Sequence, residues 1–186
     1  MRTLSVFNQV SLDGYFVDKN GEMRFAHKED PEWLAFASEN ASGGGVLVFG
    51  RVTYDMMASY WPTPEARKNA PIVAERMNSL PKIVFSRTLE KASWNNTTLI
   101  NGDIAARMRA LKAEPGPDMV ILGSGTIVAQ LTDARLIDSY QVVVNPIVLG
   151  AGRTMFDGLK EPLNLALTKT RTFGNGNVVL WYEPRG

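Results

Sequence analysis

Three short stretches place small, hydroxylic or cationic residues directly after apolar runs. Met119-Val120-Ile121-Leu122 leads into Gly123-Ser124-Gly125-Thr126. Val46-Leu47-Val48-Phe49 leads into Gly50-Arg51-Val52-Thr53, and Ile83-Val84-Phe85 into Ser86-Arg87. The chemistry this pattern allows is anion binding. Glycine lets the backbone turn through positive φ and lets a ligand approach the main chain. A helix that follows offers unpaired N–H groups and the positive end of its dipole. Guanidinium groups match phosphate oxygens with paired hydrogen bonds. Each stretch also reads as an ordinary turn, and each arginine as a solvated charge. Together they suggest one crevice beyond the carboxyl ends of parallel strands, where α/β sheets bind ligands.

Proton-transfer chemistry would need a carboxylate, and Asp30 and Glu32 are the candidates. The Asp30-Pro31-Glu32 order also reads as a helix start, with Asp30 as the N-cap and Glu32 at the positive dipole end. Asp13, in the Asp13-Gly14 turn pair, is a candidate for touching substrate as well as a turn former. Tyr54 and Trp61 are aromatic candidates for walling a flat heterocycle, with core packing as the competing role. His27 is the one histidine and sits among charged neighbours, as an exposed loop histidine would.

The elements that would position these residues follow from apolar patterning. Residues 3–10 alternate as a strand. Residues 46–49, 83–85 and 119–122 read as buried strands and 97–100 as a further one. Helical segments are expected at about 30–42, 51–59, 71–78, 103–113 and 125–131. Beyond residue 137 the pattern changes to strands at 138–144, 147–149, 163–173 and 178–182. Gly174-Asn175-Gly176-Asn177 marks a hairpin between the last two. The expected fold is α/β: one domain over residues 1–186, a mixed, mostly parallel central sheet with a C-terminal antiparallel hairpin, and helices on both faces.

Composition narrows the function classes. The chain has 186 residues, no cysteine and a formal net charge of +1. Disulfides and thiolate chemistry are therefore absent, and no global field draws nucleic acid or a membrane surface. One histidine cannot build a His-rich metal site, so no metal is expected. No apolar run is long enough to span a bilayer, and the amino terminus lacks a signal-peptide pattern, so a cytoplasmic protein is expected. The glycine turn is not the Rossmann fingerprint, because Val128 stands where a third glycine belongs and the turn comes late in the chain. Arginine rather than an acid at the nearby strand ends points to a 2′-phosphate, hence to NADP rather than NAD.

The order of these motifs resembles the dihydrofolate reductase-like superfamily, and more closely its riboflavin-biosynthesis reductase branch. The residues that carry the resemblance are Ser11-Leu12-Asp13-Gly14, Val48-Phe49-Gly50-Arg51-Val52-Thr53-Tyr54, Val84-Phe85-Ser86-Arg87, Ile121 to Thr126, and Asn145-Pro146-Ile147-Val148-Leu149-Gly150-Ala151-Gly152. The resemblance implies a three-layer sandwich and an NADPH-dependent reductase acting on a small molecule. It also implies a homodimer. Gly50, Arg51 and Thr53 would approach the cofactor phosphates, Ser86 and Arg87 would hold the 2′-phosphate, and Gly123, Ser124, Gly125 and Thr126 would wrap the pyrophosphate. The chain departs from the riboflavin branch at Leu122, where a glutamate is usual, and at Asn8-Gln9-Val10, near which a lysine is usual. Two other readings are a non-catalytic nucleotide-binding module and an oligomerisation protein built on residues 146–152.

Overall fold

The structure, a computed structural model, describes residues 1–26 and 30–185. His27 lies outside them. The chain runs β1 (Leu4–Ser11), β2 (Tyr15–Asp18), α1 (Pro31–Ser42), β3 (Val46–Gly50), α2 (Arg51–Tyr60), α3 (Pro64–Asn69), α4 (Pro71–Ser79), β4 (Lys82–Phe85), β5 (Thr97–Ile100), α5 (Ile104–Ala113), β6 (Met119–Leu122), α6 (Gly125–Asp133), β7 (Ser139–Asn145), β8 (Gly152–Thr154), β9 (Leu165–Thr172) and β10 (Val178–Pro184). Eight strands form one sheet in the order β5-β4-β3-β6-β1-β7-β10-β9. The six from β5 to β7 are parallel, and β10 and β9 close the sheet antiparallel. This is the expected α/β architecture. The differences are local. Residues 147–149 form a loop rather than a strand. The polar stretch after residue 14 contains β2, which pairs with β8 as a separate ribbon.

Alternation along the strands divides the core between two faces. Leu4, Val6, Val48 and Ile121 point to one face, where Met108 of α5 and Ile127, Val128 and Leu131 of α6 cover them. On the other face, Leu47, Phe49 and Val84 pack with Tyr54, Met77 and Trp94. Farther along that same face, Val143 and Val179 pack with Trp33 and Phe36 of α1 and with Phe173. The cap on α1 forms as its sequence requires: the Trp33 N–H donates to Asp30 Oδ1 at 2.7 Å. Asp103 caps α5 in the same way, through the Ala106 N–H.

The amino edge of the sheet is saturated with long-range polar contacts. Thr3 N–H donates to Asp118, Leu4 N–H to Asp138, and Arg2 Nε to the Pro117 carbonyl. Lys112 bonds both the Leu136 carbonyl and Asp138. Lys82, 1% exposed, donates to the carbonyls of Asn78, Leu80 and Asn95 at 2.7–3.2 Å and lies over the Trp94 ring. Burial pushes its pKa down to about 8.

The carboxyl edge carries a different clamp. Asp13 Oδ1 accepts from Ser11 Oγ and from the Leu149 N–H, and Oδ2 accepts from the Gly150 N–H at 2.7 Å. One carboxylate therefore ties the loop after β1 to the loop after β7. These donors hold its pKa down to about 2, the Ser11 hydroxyl foremost.

Two predictions follow from these anchors. Lys82→Met leaves three carbonyls without their donor and should cost about 1–3 kcal/mol, read by chemical denaturation. For Asp13, the folded pKa lies below the ordinary carboxylate value of 3.8. The clamp is therefore complete at neutral pH and is lost as pH falls from about 4 through about 2. The Leu149 and Gly150 amide resonances should titrate together with a midpoint near 2. A midpoint at the ordinary carboxylate value would contradict the clamp.

Candidate active site at the carboxyl edge of the sheet

The three strand ends singled out in the sequence meet, because β4, β3 and β6 are neighbours in the sheet. Between β6 and α6 the chain takes two successive left-handed steps, Gly123 at φ 62° and Ser124 at φ 59°. Such a step is costly for serine, so its surroundings must hold it. Asn8 does most of this. Its Oδ1 accepts from the Gly123 N–H at 2.7 Å, and its Nδ2 donates to the Gly123 carbonyl at 3.2 Å and contacts Met155 Sδ. The Ser124 N–H donates to Thr53 Oγ1 at 3.0 Å, and the Gly50 N–H donates to Ser124 Oγ at 2.7 Å. The ends of β3 and β6 and the first turn of α2 are thus joined into one polar knot.

The glycines in this knot serve the protein's own packing. A Cβ on Gly123 would fall 2.8 Å from Thr53 Cγ2, and one on Gly50 would fall 3.1 Å from Ile127. A Cβ on Gly125 would fall 2.8 Å from Phe16 of the β2–β8 ribbon and 3.1 Å from the Thr154 carbonyl. The N–H groups of Gly50, Gly123 and Ser124 are already spent on Ser124, Asn8 and Thr53. The donors left over are those of the helix starts. Neither α2 nor α6 has a side-chain cap bond, whereas α1, α3 and α5 do. Two uncapped helix N-termini therefore stand side by side, with exposed Thr126 on one and exposed Arg51 on the other. Arg51 also pairs with Asp55 at 3.1 Å across one helical turn. At the end of β4, Ser86 Oγ accepts from the Thr88 and Leu89 N–H groups, shaping the turn that carries exposed Arg87.

Of the residues expected to touch substrate or move a proton, Tyr54 and Trp61 lie elsewhere, while Asp13 and Asp30 are at the carboxyl edge but are engaged in other bonds. Tyr54 is 2% exposed and packs against Phe49 and Trp94, and its hydroxyl accepts from the Trp94 N–H. It is a core residue. Trp61 ends α2, about 15 Å along the helix from Gly50. There its carbonyl accepts from Asn78, whose own carbonyl accepts from Lys82 at the start of β4, so Trp61 belongs to the amino edge. Glu32 is exposed and pairs at 3.3 Å with Arg171 of β9, the outermost strand. Asp30 caps α1 beside Gly174 in the β9–β10 turn. Both carboxylates thus lie over the hairpin end of the sheet. Asp13 is occupied by its loop clamp.

What the sequence did not single out is a set of partly exposed residues on the middle strands. On the face covered by α5 and α6, central-strand residues such as Leu4, Val6 and Ile121 are 0% exposed. On the opposite face, Phe7 and Gln9 of β1, Val120 and Leu122 of β6 and Gln141 of β7 are all only half-buried. The Phe49 cluster flanks them on one side and the Trp33 cluster on the other. Phe7 stands beside Leu122 and beside Gln141 in register. On this face α1 and α4 pack against each other, and these strand residues keep only partial exposure. Asn8 left one trace in the sequence, an amide at an apolar position in the alternation Leu4-x-Val6-x-Asn8-x-Val10.

Comparison with known proteins agrees with this architecture. Residues 2–179 match the family model for the RibD C-terminal domain. The chain is 30% identical over 177 residues to the uncharacterized protein YyaP of Bacillus subtilis strain 168, covering 95% of this chain and 92% of that protein. Among solved structures it is similar to a putative riboflavin biosynthesis protein from Shewanella sp. PV-4, with 24% identity, 99% of both chains covered and a TM-score of 0.76. It shares its fold with a dihydrofolate reductase from Enterococcus faecalis complexed with NADP(H), at 14% identity, 99% and 97% coverage and a TM-score of 0.65. What the chain shares with these structures is a reductase-like fold. The chain belongs to the RibD C-terminal domain family.

Proposed function

We propose that this protein is an NADPH-dependent reductase that transfers a hydride to a C=N or C=O bond of a small, flat heterocycle. The observation that carries the reading is the pair of uncapped helix starts at Gly50-Arg51 and Ser124-Gly125, locked together by the Gly50–Ser124 bond. Adjacent first-turn N–H groups and two positive dipole ends suit a pyrophosphate. Arg51 and Thr126 border that position, and Arg87 with Ser86, one strand farther on, suits the adenosine 2′-phosphate. The solved dihydrofolate reductase of the same fold is in complex with NADP(H), which supports the assignment.

When bound, NADPH supplies the hydride. The chain's own task is to bind, orient and exclude water. The half-buried strip of Phe7 and Leu122 offers a flat apolar surface on which a ring can lie, and Gln9 and Gln141 offer polar contacts at its margin. Among these floor residues there is no carboxylate. The proton is therefore assigned to solvent entering from the carboxyl edge, with Asp30 and Glu32 serving helix and surface instead. The fixed turn at Gly123–Ser124 keeps the phosphate site in register with Phe7 and Leu122, which is the positioning that hydride transfer requires. We further propose that the protein works as a homodimer, which sedimentation analysis would test.

Titration followed by nicotinamide fluorescence should reveal NADPH binding, with NADH weaker. Arg87→Ala should weaken NADPH by about tenfold or more, the loss expected for one charge-assisted phosphate contact, and leave NADH nearly unchanged. Equal losses for the two nucleotides would remove Arg87 from the 2′-phosphate. Tight NADPH binding without turnover across carbonyl, imine and pterin substrates would favour a nucleotide-binding module over an enzyme.

A further inference from the structure

An asparagine followed by a glycine can modify itself. Glycine has no side chain to screen its backbone nitrogen, which can therefore reach the carbonyl carbon of the asparagine side chain. The chain holds three such pairs, Asn20-Gly21, Asn101-Gly102 and Asn175-Gly176. The fold treats them differently. The Gly21 N–H donates to the Asp18 carbonyl at 3.0 Å, and the Gly176 N–H donates to the Phe173 carbonyl at 2.9 Å. Asn175 is held as well, because its Oδ1 accepts from the Asn177 N–H at 2.9 Å. A nitrogen fixed in a turn cannot swing onto the neighbouring side chain until that bond breaks. Asn101 and Gly102 are both exposed, and among the described residues neither the Gly102 N–H nor the Asn101 side chain has a hydrogen-bond partner. The space beside Gly102, at φ +105°, is open.

This pair sits at a sensitive place. β5 runs parallel to β4 with Ile100 beside Phe85, and the Ser86 N–H donates to the Ile100 carbonyl at 3.2 Å. Asn101 therefore leaves the sheet beside Ser86 and the turn that carries exposed Arg87, the position proposed for the 2′-phosphate. Asp103, two residues on, is used as the cap of α5.

We propose that Asn101-Gly102 is a site of spontaneous deamidation, and that this change lowers the protein's preference for NADPH as it ages. The Gly102 nitrogen gives its proton to solvent and attacks Asn101 Cγ. The new C–N bond closes a cyclic imide as the Cγ–NH₂ bond breaks and ammonia leaves. Water then opens the ring at either carbonyl, leaving aspartate or isoaspartate with no change of oxidation state. One neutral amide is exchanged for a carboxylate beside Ser86 and Arg87. That charge repels a dianionic 2′-phosphate and offsets the Arg87 guanidinium. The effect on nucleotide choice rests on the reductase reading, but the modification itself does not.

The whole protein is incubated at mildly alkaline pH, folded and in urea, and amide-to-acid conversion at each pair is followed by peptide mapping with mass spectrometry. In urea the three pairs should convert at similar rates. In the folded protein Asn101 should keep a rate near its urea value, and Asn20 and Asn175 should slow by at least about tenfold, the size of one retained hydrogen bond. Aged wild type, separated by ion exchange, and Asn101→Asp should both bind NADPH about fivefold more weakly at low salt, with NADH unchanged and the loss shrinking as salt is added. Asn101→Gln should abolish conversion at this position and keep the wild-type nucleotide choice. Conversion led by Asn20 or Asn175, or Asn101 protected as strongly as they are, would overturn the modification. Equal loss of NADPH and NADH in the aged protein, or no loss, would overturn its effect. NADPH that does not bind unaged wild type would mark failure of the reductase reading and remove that effect with it, while the mapping still decides whether the site deamidates.

Discussion

The left-handed step at Gly123–Ser124 is the constraint on which the rest of the carboxyl edge depends. It turns the chain from β6 into α6 so abruptly that the helix begins beside the start of α2, and it is an expensive conformation for a serine. Three side chains from distant parts of the sequence, Asn8, Thr53 and Ser124 itself, hold it through four hydrogen bonds of 2.7–3.2 Å. These bonds use up the backbone donors nearest the turn. Only the first-turn donors of the two helices are left to face outwards. The turn does not itself form the anion site. It places two helix starts so that together they can.

Relocating the functional surface from single side chains to two paired helix starts changes how the site is understood. Carboxylates that looked suited to chemistry are used for capping and for a surface ion pair, both over the β9–β10 end of the sheet. Aromatic residues that looked suited to stacking a ligand are core or lie at the opposite edge. Phe7 and Leu122, side by side on the middle strands, pack against the Trp33 and Phe49 clusters respectively and keep partial exposure.

Much of this was legible in the sequence, for identifiable reasons. The strand ends, the Asp30 and Asp103 caps and the β9–β10 hairpin are local events, decided by a few adjacent residues, and each formed where those residues indicated. Trp61 was misread because a helix position says nothing about which edge of the sheet it will face. That depends on the direction of β3 and the length of α2. Asp13 was recognisable as a turn residue, but its partners Leu149 and Gly150 lie more than 130 positions away in the chain. Asn8 carried a real signal, a polar residue on the apolar side of a strand, and its meaning became clear only once β6 was seen to run alongside. The β2–β8 ribbon gave no comparable sign, being short and irregular in register.

The two edges of the sheet are finished to different standards. At the amino edge, Arg2, Lys82, Lys112, Asp118 and Asp138 each engage backbone groups from elsewhere in the chain. At the carboxyl edge, the starts of α2 and α6 lack side-chain caps and buried amides lack partners. Local opening draws on whichever region has least to lose, so its free energy should fall from one edge to the other along the same strands. Random substitution would accordingly do unlike damage at the two ends: abundance would suffer at the first, and selectivity at the second. A lineage could therefore change what this scaffold recognises while leaving untouched the residues that keep it folded.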